Sequence, residues 1–138
     1  MFSSLLVAVD GSESAKKAYE KSIYLAQKCN SKIDLVHVVQ CELGGDSANT
    51  FEMIEDLKNK AKKMLEEYKN QAAKNNISIQ IMVTQGDPAK VIIELAKAKS
   101  YDLIIMGTRG RTAFQELLIG SVSQKVMHHA SCPVMVVR

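Results

Sequence analysis

Residues 101–127 read YDLIIMGTRGRTAFQELLIGSVSQKVM, and this stretch decides how the rest of the chain is read. It opens with a short apolar run, Leu103-Ile104-Ile105-Met106, bounded by Asp102 and Gly107. A run of that length and composition is the pattern of a strand buried on both faces. It breaks at Gly107-Thr108-Arg109-Gly110, and nine residues after Gly110 comes Gly120-Ser121. Val122, Val126, Met127 and Ala130 then follow with helical spacing. The skeleton is strand, Gly-x-x-Gly, excursion, Gly-Ser, helix.

That skeleton suits an anion. A helix start carries amide N–H groups without intrahelical partners, at the positive end of the peptide dipoles. Glycine at the approach removes the Cβ that would hold a phosphate away from the backbone. Gly107, Gly110 and Gly120 are therefore expected to let amides at Ser121, Val122 and Ser123 face a phosphate chain. The hydroxyls of Ser121 and Ser123 add donors, and Arg109 and Arg111 add positive charge. A structural alternative stands beside this reading. Ser121-x-x-Gln124 has the form of a capping box, which needs no ligand. The pattern is neither a Walker loop, since Gly-Lys-Ser/Thr is absent, nor the Gly-x-Gly-x-x-Gly of dinucleotide folds.

Working outward, the chain alternates between strands and helices. Residues 5–9 form a buried-strand run that ends in Asp10-Gly11-Ser12, a turn followed by a helix cap. Ala15, Ala18, Tyr19, Ser22, Ile23 and Ala26 repeat at helical spacing, and the helix should fade between Lys28 and Asn30. A second strand covers 33–39, and residues 41–50 (CELGGDSANT) read as a turn-rich loop. Residues 51–73 make the longest helix, with a Lys62–Glu66 pair at contact distance on its polar face. Residues 77–83 alternate as a sheet-edge strand. Gly86-Asp87-Pro88 is a turn, an N-cap and a first-position proline. The chain closes on a strand after Pro133, with Val134–Val137 as its apolar body. This β α β α β α β α β order predicts a single α/β domain over 1–138, a doubly wound five-stranded parallel sheet with four helices on both faces.

Composition narrows the function. The 138 residues carry a net charge of +3, aromatic content is 5%, and tryptophan is absent. Neither a basic footprint nor stacking platforms for nucleic acid are present. No apolar stretch approaches the ~20 residues of a membrane span. Cys29, Cys41 and Cys132 show no metal spacing with His37, His128 or His129, and an odd number of unclustered thiols suits a reducing compartment. The expected location is the cytoplasm, with no nucleic-acid or membrane partner. His128 and His129, adjacent on a helix end, do not chelate together and complement the helix dipole. His37 reads as a satisfied core histidine. No catalytic set and no protein metal site can be assembled.

In open sheets of this kind ligands bind at the carboxyl ends of strands where strand order reverses. Asp10, at the end of the first strand, could accept hydrogen bonds from ribose hydroxyls, or could be an ordinary turn aspartate. Val38 and Val39 end the second strand, where their backbone N–H and C=O could pair with an adenine edge, or the two valines could simply be core.

The spacing Gly107-x2-Gly110-x9-Gly120-Ser121 matches in full the nucleotide-binding signature of the universal stress protein family. The segments LLVAVDGSESA, IIMGTRGRT, GSVSQKV and HHASCPVMVVR also resemble that family, so the likeness covers the whole chain and is least specific from about 41 to 76. The resemblance implies strand order 3-2-1-4-5. It implies ATP bound with adenine on the backbone of Val38, with Met106 and Gly107 under the base and ribose. Asp10 would hold the ribose, and Arg109, Gly110, Gly120, Ser121, Val122 and Ser123 would surround the phosphates. Mg²⁺ would be held through the phosphates. It also implies a homodimer joined through Val134–Val137, an exposed apolar edge that invites pairing. The function expected is that of a nucleotide-dependent stress regulator or sensor. A slow ATPase or nucleotidyl-transferring enzyme on the same site, and a nucleotide-free interaction module, are the alternatives.

Overall fold

The computed structural model describes residues 2–40, 47–108 and 119–138. Its elements are β1 (Ser4–Ala8), α1 (Glu13–Cys29), β2 (Lys32–Val39), α2 (Ser47–Lys74), β3 (Ile79–Gln85), α3 (Pro88–Lys99), β4 (Leu103–Gly107), α4 (Ser121–His129) and β5 (Val134–Val137). The five strands form one sheet in the order β3-β2-β1-β4-β5, every neighbouring pair parallel. The predicted class and strand order are both present.

Alternation along the strands divides the core in two. Leu5 and Val7 of β1, Ile33 and Leu35 of β2 and Leu103 and Ile105 of β4 face α1 and α2, meeting Ala15, Ala18, Tyr19, Leu65 and Ala72. Leu6, Val36, Ile104 and Met106 face the other way, against Ala89, Ile92 and Ala96 of α3 and Val126 of α4. The central strands are covered on both sides, which is why their sequences read as continuous apolar runs.

The helix boundaries follow from their caps. Ser12 accepts the Ala15 N–H at 3.2 Å and starts α1; Asp87 accepts the Lys90 N–H at 3.0 Å and starts α3. The first three helices stop on a left-handed residue: Asn30 (φ 54°), Asn76 (φ 60°) and Ser100 (φ 52°). After each, the next amide turns back into the last turn: Ser31 to the Ala26 carbonyl, Ile77 to Ala72, and Tyr101 to Ala96. This is the Schellman closure.

Three expectations need correction. Helix α2 begins at Ser47 rather than 51, because Ser-Ala-Asn-Thr is as compatible with a first helical turn as with a loop. Strand β3 begins at Ile79 rather than 77. Ile77 is buried, but its amide belongs to the end of α2, bonded to the Ala72 carbonyl at 3.0 Å. The Lys62–Glu66 pair does not form. The ion pair among the described residues is Lys58 with Glu55 at 3.9 Å, since exposed pairs gain little from holding two long side chains still.

Candidate functional site: a notch at the carboxyl end of the sheet

Strands β1 and β2 part company before β2 ends. Their register runs from Ser4 opposite Lys32 to Ala8 opposite Val36, and one further bond joins the Val9 N–H to the Val36 carbonyl at 3.0 Å. β2 continues to Val39, still paired with β3 through Gln85. In a parallel ladder alternate residues bond to alternate neighbours. Val36 bonds toward β1 and the Val39 carbonyl bonds toward β3, to the Gly86 N–H at 3.0 Å. Val38 therefore turns its N–H and C=O toward β1, where β1 has already ended. Among the described residues neither group has a partner.

This notch opens into a crevice of about 750 Å³, within the range of small-molecule sites. One wall carries Val36, Val38, Pro88, Ile92 and Met106; the other carries His37, Leu57, Lys60, Ala61 and Met64. Asp10, Gly107 and the start of α4, from Gly120 to Ser123, close the third side.

Asp10 sits in the exit turn of β1. Its Oδ1 accepts the Ser12 N–H at 2.9 Å, and Gly11 takes φ 85°, a conformation that suits glycine. The turn role expected of an aspartate here is thus real, and it occupies one carboxylate oxygen. The charge reaches beyond the turn. Burial first, then Glu13, Glu20, Asp10 and Glu67, raise the Tyr68 hydroxyl above the ordinary tyrosine value.

Helix α4 presents the anion-ready end. Its first backbone bond runs from the Gln124 N–H to the Gly120 carbonyl at 3.0 Å, so the helix offers no acceptor to the amides of Ser121, Val122 and Ser123. No acidic side chain lies in its first turn to offset the dipole. The capping box does not form. Gly120, not Ser121, is the N-cap, and no side chain caps it. Gln124 Nε2 instead reaches the Ile119 carbonyl at 3.3 Å.

Two roles differ from expectation. The Ser123 side chain is buried and donates to the Gly107 carbonyl at 2.8 Å, so its hydroxyl proton ties α4 to β4 and its amide is what faces the crevice. Gly107 is glycine for an internal reason. A Cβ there would lie 2.3 Å from Ser14 Oγ and 2.7 Å from the Ala15 nitrogen, so close approach of α1 excludes a side chain before any ligand does. Gly120 is different. Its φ of −64° and ψ of 160° suit any residue, so the backbone does not demand glycine. Arg109, Gly110 and Arg111 lie outside the described residues.

The structure brings Asp10, Val38, Met106, Gly107, Gly120, Ser121, Val122 and Ser123 to one crevice. It adds residues that pattern reading assigned elsewhere. Leu57, Ala61 and Met64 have the helical spacing of a core-facing stripe on α2, yet Leu57 is 46% exposed and walls the crevice. His37 is only partly buried. It lines the crevice and holds the Val9 carbonyl through Nδ1 at 2.7 Å. Lys60 carried no signal beyond a polar helix face.

Sheet order and crevice together define a doubly wound parallel α/β protein with its cleft at the point where strand order reverses. The chain belongs to the universal stress protein family, whose sequence model matches residues 1–138. It is similar to the universal stress protein YxiE of Bacillus subtilis, 33% identical over 148 residues and covering 100% of both chains. Among solved structures it is similar to the universal stress protein UspA from Lactobacillus plantarum. The TM-score is 0.93 at 25% identity, with 99% of this chain and 98% of that one covered. A universal stress protein family protein from Arabidopsis thaliana, solved with AMP bound, shares the fold at a TM-score of 0.72. It is 24% identical, over 98% of this chain and 90% of that one.

Proposed function

We propose that the crevice binds an adenine nucleotide, ATP, and that the protein is a nucleotide-dependent regulator or sensor of stress in the cytoplasm. The reading rests chiefly on the notch. At one end an unpaired backbone N–H and C=O on Val38 match the acceptor and donor on the adenine edge. At the other end three helix amides, with no acceptor among the described residues, match a phosphate chain. Met106 and Gly107 lie between, beneath base and ribose, and the second oxygen of Asp10 accepts from the sugar. Arg109 and Gly110 are assigned to the phosphates by their place in the sequence. The AMP in the Arabidopsis protein supports the same ligand class.

Mg²⁺ is assigned to the phosphate oxygens with water. Among the described residues no cluster of three His, Cys, Asp or Glu side chains could hold a metal, and one carboxylate beside polyphosphate is a usual Mg²⁺ environment. β5 supports a homodimer. It pairs with β4 on one side, has no strand on its other side among the described residues, and is partly exposed along its length.

Equilibrium dialysis with ATP tests the site. Wild type should bind, and Gly120→Val should lose at least tenfold in affinity because a branched Cβ now meets the phosphates. The substitution itself costs the helix cap no more than about 1 kcal/mol. Equal binding by a folded Gly120→Val protein would refute the assignment.

A further inference from the structure

We infer that His37 is a positioning residue that keeps the β1–β2 ladder from closing and so holds the Val38 amide open for the base. This rests on the nucleotide reading above. The register carries the argument. Val36 already receives the Val9 N–H. The next bond of the same ladder would run from the Val38 N–H to the Val9 carbonyl, two residues along β2. It is not made. The Val9 carbonyl is occupied by His37 Nδ1 at 2.7 Å.

A carbonyl only accepts, so Nδ1 carries the proton, and the imidazole takes the place that the Val38 amide would fill. One side chain thus has two effects. It fixes the Val9 peptide, from which Asp10 departs into its turn, and it leaves the neighbouring amide without an acceptor. An unpaired amide beside an unpaired carbonyl on one residue reads N1 and the 6-amino group of adenine. It rejects hypoxanthine, whose N1 bears a proton and whose C6 bears an oxygen.

The test compares ATP and ITP binding by calorimetry in wild type, His37→Phe and His37→Asn, with amide exchange of Val38 in the nucleotide-free proteins. Phe keeps a ring and has no donor. Asn places its side-chain N–H close to where Nδ1 stood. Wild type should prefer ATP to ITP by at least tenfold and exchange the Val38 amide fast. His37→Phe should let the ladder advance one bond, slow that exchange at least tenfold, and bring the ATP:ITP ratio within about threefold of unity. His37→Asn should restore both readouts to within about threefold of wild type.

A folded His37→Phe protein with unchanged ratio and unchanged exchange would overturn the inference, and so would a folded His37→Asn protein that behaves like Phe. If Phe does not fold, the Asn variant and the wild-type exchange rate decide the matter. A protected Val38 amide in nucleotide-free wild type is then sufficient to reject it. Wild type that binds neither nucleotide would instead remove the functional reading on which this one stands.

Discussion

Two glycines at the mouth of the crevice look alike in the sequence and differ in cause. At Gly107 any Cβ would fall within 3 Å of Ser14 and Ala15 atoms, two of them backbone, so a neighbour must move. Gly107→Ala should destabilise the fold by about 1–3 kcal/mol, the usual cost of overpacking. Urea denaturation would detect it with no nucleotide present, and an unchanged midpoint would contradict the packing argument. The φ and ψ of Gly120 suit any residue, and its substitution should be felt by ligand rather than by stability. A motif reader sees Gly-x-x-Gly and Gly-Ser as one signal. The split between a glycine for a helix and a glycine for a ligand appears only once α1 is in place. His37 is the opposite case. Its position on a strand was legible, but its bond to the Val9 carbonyl depends on how β1 and β2 are registered, which no local pattern encodes.

At the scale of elements, strands and helices were legible wherever the chain marks its own ends. Ser12, Asp87-Pro88, Asn30 and Asn76 are read correctly because capping is local chemistry. The error at β3 has a matching cause. Ile77 is apolar and in phase with Ile79, but its amide completes the Schellman closure of α2. The weak mark at 41–50 hid the start of α2 for the same reason, since no single residue there excludes a helix.

The start of β4 is tied to that of β2 across β1 by the Tyr101 hydroxyl, which donates to Asp34 Oδ2. Burial first, then this bond and the Asp34 charge, push the Tyr101 hydroxyl far above the ordinary tyrosine value. The folded state therefore holds that proton more tightly than the unfolded chain. The contribution is complete below about pH 10 and lost as pH rises beyond it. Tyr101→Phe should cost about 1.5–3 kcal/mol at neutral pH and should flatten the loss of stability between about pH 10 and 12. Parallel alkaline curves for the two proteins would show that the bond contributes nothing.

For the whole molecule, alternation of strand and helix was enough to predict a doubly wound sheet. The order of its strands was not, because any right-handed crossover satisfies the pattern and only the family resemblance selected 3-2-1-4-5. The outer edge bears on assembly. The Ile104 and Thr108 amides bond to the Pro133 and Val137 carbonyls, so residues 133, 135 and 137 face β4, and Val134 and Val136 turn their backbone groups outward. Val136→Pro removes an outward donor without touching the bonds to β4, and proline is tolerated at an edge. In ultracentrifugation at micromolar concentration, wild type should sediment as a dimer and Val136→Pro as a monomer with unchanged circular dichroism. A wild-type monomer would dispose of the pairing.

All five strands point the same way, and this governs what two copies could share. A twofold axis that zips β5 to its counterpart sets the two strands head to tail. The ten-stranded ribbon so made would have its mouths at opposite rims. No single small molecule could straddle them, and whatever one copy learns about its occupant must travel through the seam.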